Sequence, residues 1–210
     1  MRSAHTFQSD QRVCSLHKSH PAELGFSLIE VLVAIVILSL GMLGAVGMQT
    51  TALQSNKEAR NQAAAATFAR DLAERMRGNN TVAIRPSGAL GGNPYLFDVT
   101  LSGPASVLTP TRNCFTDVNG CQLKEDAAGW DVSDWQSRVQ KELPSPRVKV
   151  CFDKNPFDSA GKARWVCTDD GDVAVLKISW NRNNTAGKLG FTGDGDDTPA
   201  LVVPLTAGNI

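Results

Sequence analysis

Apolar positions are spread unevenly along the 210-residue chain. Residues 26–48 read FSLIEVLVAIVILSLGMLGAVGM, 23 positions with a single charge, Glu30. At 1.5 Å per residue this predicts roughly 34 Å of helix, enough to cross ~30 Å of hydrocarbon. A cleaved secretory signal has a shorter apolar region, about 7–15 residues, followed by a small-residue cleavage site. The longer run here, without such a site beyond it, predicts a segment that is kept. The pattern then becomes helical with a wet side. Ala59, Ala63, Ala66, Ala73 and Met76 fall at helical spacing, and Ala65, Phe68, Leu72 and Met76 form an adjoining stripe. Arg70–Glu74 and Asp71–Arg75 are spaced as i,i+4 ion pairs. Gly78-Asn79-Asn80 is a stop signal. One helix of 52 residues is therefore expected from Phe26 to Arg77, about 78 Å long.

Residues 81–129 are rich in Gly, Pro, Thr and Asn and read as loop, with a short strand at Tyr95–Leu101. Ser133-Asp134-Trp135-Gln136 fits a capping box with Ser133 as N-cap. Trp135, Val139 and Leu143 then share a helical face, and Pro144 ends it. Period-two alternation marks strands at Arg147–Phe152 and Val173–Trp180, the latter with Ala174, Leu176, Ile178 and Trp180 against Val173, Val175, Lys177 and Ser179. Ala163–Thr168 is a third candidate, and Ala200–Leu205 is expected as an edge strand. The fold class expected is α+β, a small antiparallel sheet within residues 147–205 packed on one long helix. Four segments follow: residues 1–25, the apolar half-helix 26–48, its continuation 49–78, and a head at 79–210 whose first part, 79–129, is loop-rich.

Charge changes the picture little. Lys+Arg and Asp+Glu both number 21, for a net charge of zero. No basic face argues for nucleic acid as a partner. The histidines change it more. His5, His17 and His20 all lie before the apolar run, so a chain cut at Gly25 has none. Histidine is the commonest general base and zinc ligand, and no phosphate-binding glycine loop or G-x-S-x-G is present. An enzyme is not expected, and no cofactor is implied. Of five cysteines, Cys14 precedes the apolar run and Cys114, Cys121, Cys151 and Cys167 follow it. An even set in an exported domain reads as a disulfide framework. Of the three connectivities possible for four cysteines, Cys114–Cys121 and Cys151–Cys167 are favoured. The first closes a short loop around the turn signal Asn119-Gly120, and the second staples neighbouring strands across a polar hairpin, residues 153–162. Pairing needs an oxidising compartment, which places the head outside the cytoplasm. Arg2, Arg12 and Lys18 ahead of the apolar run favour the same orientation.

Glu30 inside the apolar run is the residue that calls for chemistry. A carboxylate at the bilayer centre costs about 2.5–3.5 kcal/mol on insertion scales, and such residues have a partner or a function. The surrounding residues, GFSLIEVLVAIVILSLGMLG from Gly25 to Gly44, resemble the prepilin signal of type IV pilins and type II secretion pseudopilins. That pattern has glycine, then phenylalanine, then glutamate at the fifth position of the cleaved chain, and Gly25, Phe26 and Glu30 fill those places. The resemblance implies a type IV pilin-like fold, removal of residues 1–25 by a prepilin peptidase, and N-methylation of Phe26. It also implies that Glu30 meets the N-terminal amine of a neighbouring subunit, which neutralises the carboxylate in low dielectric. Within the group, the opening through Gln54, ARDLAERMRGN (69–79), DWQSRVQKELP (134–144) and VLKISW (175–180) resemble the minor pilins called PilV, the type IV pilus modification protein. The 25-residue leader departs from the few basic residues common there. The partners implied are other minor pilins, the major pilin and the inner-membrane assembly platform. The implied location is the inner membrane, with the C-terminal domain periplasmic, and then the pilus.

Gly41, Gly44 and Gly47 each cost roughly 1 kcal/mol relative to alanine in a helix interior. They fit close helix packing, a stretch softened for filament formation, or simple tolerance. Asp194, Asp196 and Asp197 resemble a fragment of a calcium loop, but the closing glutamate of an EF-hand is missing, and a solvated turn accounts for them as well. Trp130, Trp135, Trp165 and Trp180 fit core positions better than a ligand groove. Three functions follow from these features: a minor pilin of pilus assembly, an adhesin displayed on the pilus through residues 81–129, or a type II secretion pseudopilin.

Overall fold

The computed structural model describes residues 25–86, 92–118, 120–170, 172–183, 189–190 and 198–205. The chain divides after Gln49 into two compact units. One helix, α1 (Leu28–Gly78, 51 residues), runs through the boundary. It starts two residues later and ends one residue later than the apolar pattern predicts.

In the first unit the helix is apolar on every side. Its most apolar 18-residue window has a mean hydropathy of 2.6, and none of that window is buried within the chain. Glu30 lies in the first turn, where a carboxylate is favoured by the unpaired N–H groups and the helix dipole. Gly41, Gly44 and Gly47 sit within unbroken helix, and a Cβ at any of them meets nothing within 4 Å.

The second unit is the α+β head. Here α1 buries Ala65, Ala69, Leu72 and Met76. This corrects the stripe through Ala59 and Ala63, which are exposed. Alanines at helical spacing fit several faces equally, and the larger Leu72 and Met76 decide which one turns inward. A one-turn helix α2 (Asn80–Ala83) follows and buries Val82 and Ala83. After β1 (Phe97–Thr100) and a short 3-10 turn at Pro104–Ser106 comes α3 (Lys124–Glu142). It presents Ala128, Val132, Trp135 and Val139 to the core at intervals of four, three and four.

Helix α3 begins nine residues before the predicted cap at Ser133, which lies inside the helix. No side chain caps its start; Glu125 and Asp126 in the first turn complement the dipole instead. Gln136, assigned above to the capping box, accepts the Leu108 backbone N–H at 2.7 Å and holds the preceding loop against the helix.

Strands β2 (Arg147–Phe152), β3 (Ala174–Ser179) and β6 (Leu201–Leu205) complete the main sheet, which has the order β1-β2-β3-β6 and is antiparallel throughout. Two short strands, β4 (Arg182–Asn183) and β5 (Leu189–Gly190), pair separately between β3 and β6. Ala163–Thr168 is not a strand; only Ala163 makes an isolated bridge, to Phe157. Val148, Val150, Phe152, Ala174, Leu176 and Ile178 join the helix residues in one hydrophobic core.

The alternation in β3 predicts one wet face, yet all six residues are buried. The reason is not local. Asp153 and residues 165–167, between β2 and β3, lie over the face that holds Lys177, with Trp165 against Arg147 and Cys167 bonded to Cys151.

Candidate assembly site

The residues singled out near the start of the apolar run occupy the entrance to α1. Gly25, Phe26 and Ser27 precede the helix, and Phe26 is 83% exposed. The Ser27 carbonyl accepts the Glu30 N–H at 3.0 Å and the Val31 N–H at 3.3 Å, which starts the helical ladder. Glu30 is thus the third helical residue, one turn from Phe26, and its side chain is exposed. So are Leu28, Ile29, Leu32, Val36 and the other large apolar residues of this half-helix. A surface of this composition needs an apolar surrounding, either lipid or the equivalent helices of neighbouring subunits. The leader residues 1–24 and the acidic segment Asp194, Asp196 and Asp197 lie outside the described residues.

In the head, α1 and α3 are clamped by charges. Arg75 reaches Asp71 at 3.3 Å, Asp131 at 3.1 Å and Asp134 at 2.8 Å. Arg138 pairs with Asp134 and with Asp71 across the helices. Glu74 pairs with Arg77 rather than with Arg70. The Trp135 indole N–H donates to the Phe68 carbonyl of α1 at 2.9 Å. The Tyr95 hydroxyl donates to Asp131 at 3.1 Å; burial, and then the charge of Asp131, raise its pKa above the ordinary tyrosine value. Trp180, at the end of β3, donates its indole N–H to Glu58 of α1 at 3.1 Å. Trp135 and Trp180 are fully buried.

The structure joins Cys114 to Cys121 and Cys151 to Cys167. The first bridge closes a tight loop. Asn113 accepts the N–H groups of Phe115 and Thr116 through its side chain, and Asp117 accepts the Asn113 N–H. Gly120 adopts φ 55°, a left-handed conformation suited to glycine, and its missing Cβ leaves room beside the Cys114 carbonyl. Phe115 is 83% exposed and stacks edge-on against Trp130, with ring centroids 5.5 Å apart. An open groove of about 500 Å³ lies beside this region, lined in part by Leu96, Phe97, Leu108 and Pro110.

The second bridge ties the end of β2 to the segment over the sheet. Beneath it lies an ion pair that the sequence did not single out. Lys177 Nζ donates to Asp153 at 2.5 Å and to the Val166 carbonyl at 2.8 Å, and both charged side chains are fully buried. Burial pushes the Asp153 carboxyl up. The hydrogen bond from Lys177, the Asn155 N–H and the lysine charge outweigh it and hold the carboxyl below its ordinary range. The only signal for this pair was a lysine inside the apolar strand VAVLKISW; which of many aspartates answered it depended on the loop. Cys151, Asp153 and Cys167 come close enough to suggest a metal site, but the disulfide occupies both sulfurs and Lys177 occupies the carboxylate.

With this geometry in place, comparison with known families is informative. Residues 21–46 match the family model of the prokaryotic N-terminal methylation motif, and residues 47–133 match that of type IV pilin Tt1218. The chain is thus similar to the prepilin methylation motif over its apolar run and to a type IV pilin over the stretch that follows. The two matches adjoin, so the apolar half of α1 belongs to the motif and the amphipathic half to the pilin domain. The pilin match ends at Ser133 within α3 and does not reach β2, β3 or β6. The long apolar helix and four-stranded antiparallel sheet agree with a type IV pilin fold. No curated protein and no solved structure matches the chain. The family matched over residues 47–133 is one of structural proteins, and the apolar half of α1 is long and apolar enough to cross a membrane.

Proposed function

We propose that the chain is a minor pilin of the PilV group, cut between Gly25 and Phe26, N-methylated at Phe26, and active in starting or modifying a pilus. The observation that carries this reading is the exposed Glu30 carboxylate, one turn from the exposed Phe26, on a helix with no other charge up to Lys57. Cleavage frees the Phe26 amine. In an apolar surrounding an isolated carboxylate is costly, and a cation at hydrogen-bond distance removes most of that cost. The amine of a neighbouring subunit meets this need, and because only one axial offset brings the charges together, the contact also sets register. The other minor pilins, the major pilin and the assembly platform are the partners, with the head on the periplasmic side and the mature subunit in the pilus.

Replacing Glu30 with alanine is expected to reduce surface pili sharply while the protein still enters the membrane. Normal pili in this variant and in a deletion strain contradict the proposal. Mass spectrometry of the envelope protein checks processing separately: the expected species starts at methylated Phe26 and is four hydrogens lighter than its reduced form.

A second reading, a binding module displayed on the pilus, draws on the exposed Phe115 (83%) and Val118 (102%) in the loop closed by Cys114–Cys121. Deleting residues 113–122 separates the two readings. Loss of attachment with pili intact supports display, and loss of pili supports assembly.

A further inference from the structure

The segment 153–170 carries a bond network of its own. It covers the outer face of the sheet, opposite the helices, where Arg147, Lys149 and Cys151 of β2 lie in register with Ser179, Lys177 and Val175 of β3. Most of its residues are exposed, including Phe157 at 50% and Val166 at 70%. Its hold on the sheet, among the described residues, runs through a few pins. Lys177 reaches Asp153 and the Val166 carbonyl, the buried Trp165 ring has its centre 4.2 Å from the Arg147 guanidinium, the Phe152 carbonyl accepts the Asp169 N–H at 3.0 Å, and Cys167 is bonded to Cys151.

Its internal bonds are of a different kind. Arg164 donates twice to the Asn155 carbonyl, Asp158 caps the turn at Ala160 and Lys162, and Phe157 bridges Ala163. None of these breaks if the segment lifts as one piece.

Two of the noncovalent pins are made by side chains, one apolar and one polar. Trp165 exposes its ring when it leaves, at a cost proportional to area. Lys177 and Asp153 both regain water, which offsets much of their lost attraction. Pins this few hold the strap less firmly than a covalent bond does. The Cys151–Cys167 bridge is that bond, and the hydrophobic core on the other face of the sheet includes neither cysteine.

We propose that residues 153–170 form a strap locked by the Cys151–Cys167 disulfide, and that reduction of this bond opens the strap as a unit while the helix–sheet core stays folded. Opening is a thiol–disulfide exchange: a dithiol attacks one sulfur, two electrons and two protons pass to Cys151 and Cys167, and the dithiol leaves as its own disulfide. It uncovers a row of cations, Arg147, Lys149 and Lys177. Lys149 and Lys177 face each other on adjacent strands, an arrangement that repels without an anion nearby. Asp153, carried by the strap, supplies the anion when it is shut, and Asp98 flanks Lys149 from β1 at 3.3 Å. The head thus has an oxidised closed form and a reduced form with an open cationic face.

The test uses the full chain in detergent, in three forms: oxidised, reduced with a dithiol, and with Cys151→Ser/Cys167→Ser. Amide hydrogen exchange and limited trypsin cleavage at Lys162 and Arg164 are followed, with Cys114→Ser/Cys121→Ser as the control. Removing a loop closure of this size is expected to speed exchange and cleavage in 153–170 by about a hundredfold, with α3, β2 and β3 still protected and the control unchanged. Unchanged protection of the strap overturns the proposal. So does loss of protection across α3 and the sheet, because the bridge is then a general staple rather than a lock. If the serine variant does not fold, the reduced wild-type protein decides between these outcomes.

Discussion

The two halves of α1 belong to one unbroken helix but obey different solvents. From Leu28 to Gln49 no side chain is buried within the chain, although the residues are almost all apolar. From Thr50 to Gly78 the helix is largely polar, yet it buries Ala65, Ala69, Leu72 and Met76 and joins α3 through three ion pairs, Arg75 to Asp131 and Asp134 and Arg138 to Asp71. Hydrophobicity by itself therefore says little about burial inside the chain. The half that looks most like a core has no partner there and takes its stability from outside. The half that looks least like one is held by a four-residue stripe and by the elements packed against it.

Substitutions that treat the halves unequally test this contrast. The largest effect is expected from Trp135→Ala, which removes the side chain that packs α3 on the head half and donates to Phe68. Loss of about 3–5 kcal/mol should show as a large drop in the melting temperature of the head, while the helical signal of the apolar half in detergent persists. Next comes a charge placed in each half. Ile37→Lys is expected to cost about 3 kcal/mol of membrane insertion, read as carbonate-extractable protein, whereas Ala63→Lys on the exposed head face should leave both insertion and stability within about 0.5 kcal/mol. If the two behave alike, the division of solvents is wrong. Arg75→Ala, with its partly exposed partners, is expected to cost about 1 kcal/mol in chemical denaturation, less in high salt.

The most specific effect, and the smallest in its pH-dependent part, concerns acid. The folded pKa of Asp153 lies below its unfolded value, near 3.9. Its contribution is complete above that value and is lost as pH falls through the lower, folded one. Asp153→Asn should therefore flatten part of the acid limb of the head's stability curve below about pH 4, with no change in the apolar half.

The sequence carried these regions unequally well. The apolar run was legible because its length and its single charge leave few alternatives, β2 and β3 because alternation is a local property, and β6 as a short run at 200–205. The start of α3 was not, since Leu123 caps nothing and Gly129 reads as a break, whereas the buried stripe from Ala128 to Val139 shows only once a core exists to face. Nor was the second buried face of β3. Lys177 signalled an anomaly, but its explanation lies in a loop whose path no periodicity encodes. The alanine stripe failed for a similar reason: a methyl group marks a helix without marking its inward side.

One feature of β6 bears on crowding. Pro204 lies opposite Val175 in the outermost strand of the main sheet and has no N–H to offer. The other border strand, β1, is four residues long and carries Asp98. An open border with a full row of donors and acceptors invites a second sheet to extend it, and this risk grows where many similar heads are brought close together. A proline on one side and a short, charged strand on the other give both borders poor templates. Heads with such borders can be crowded without their sheets fusing, so contacts between neighbours are left to other surfaces.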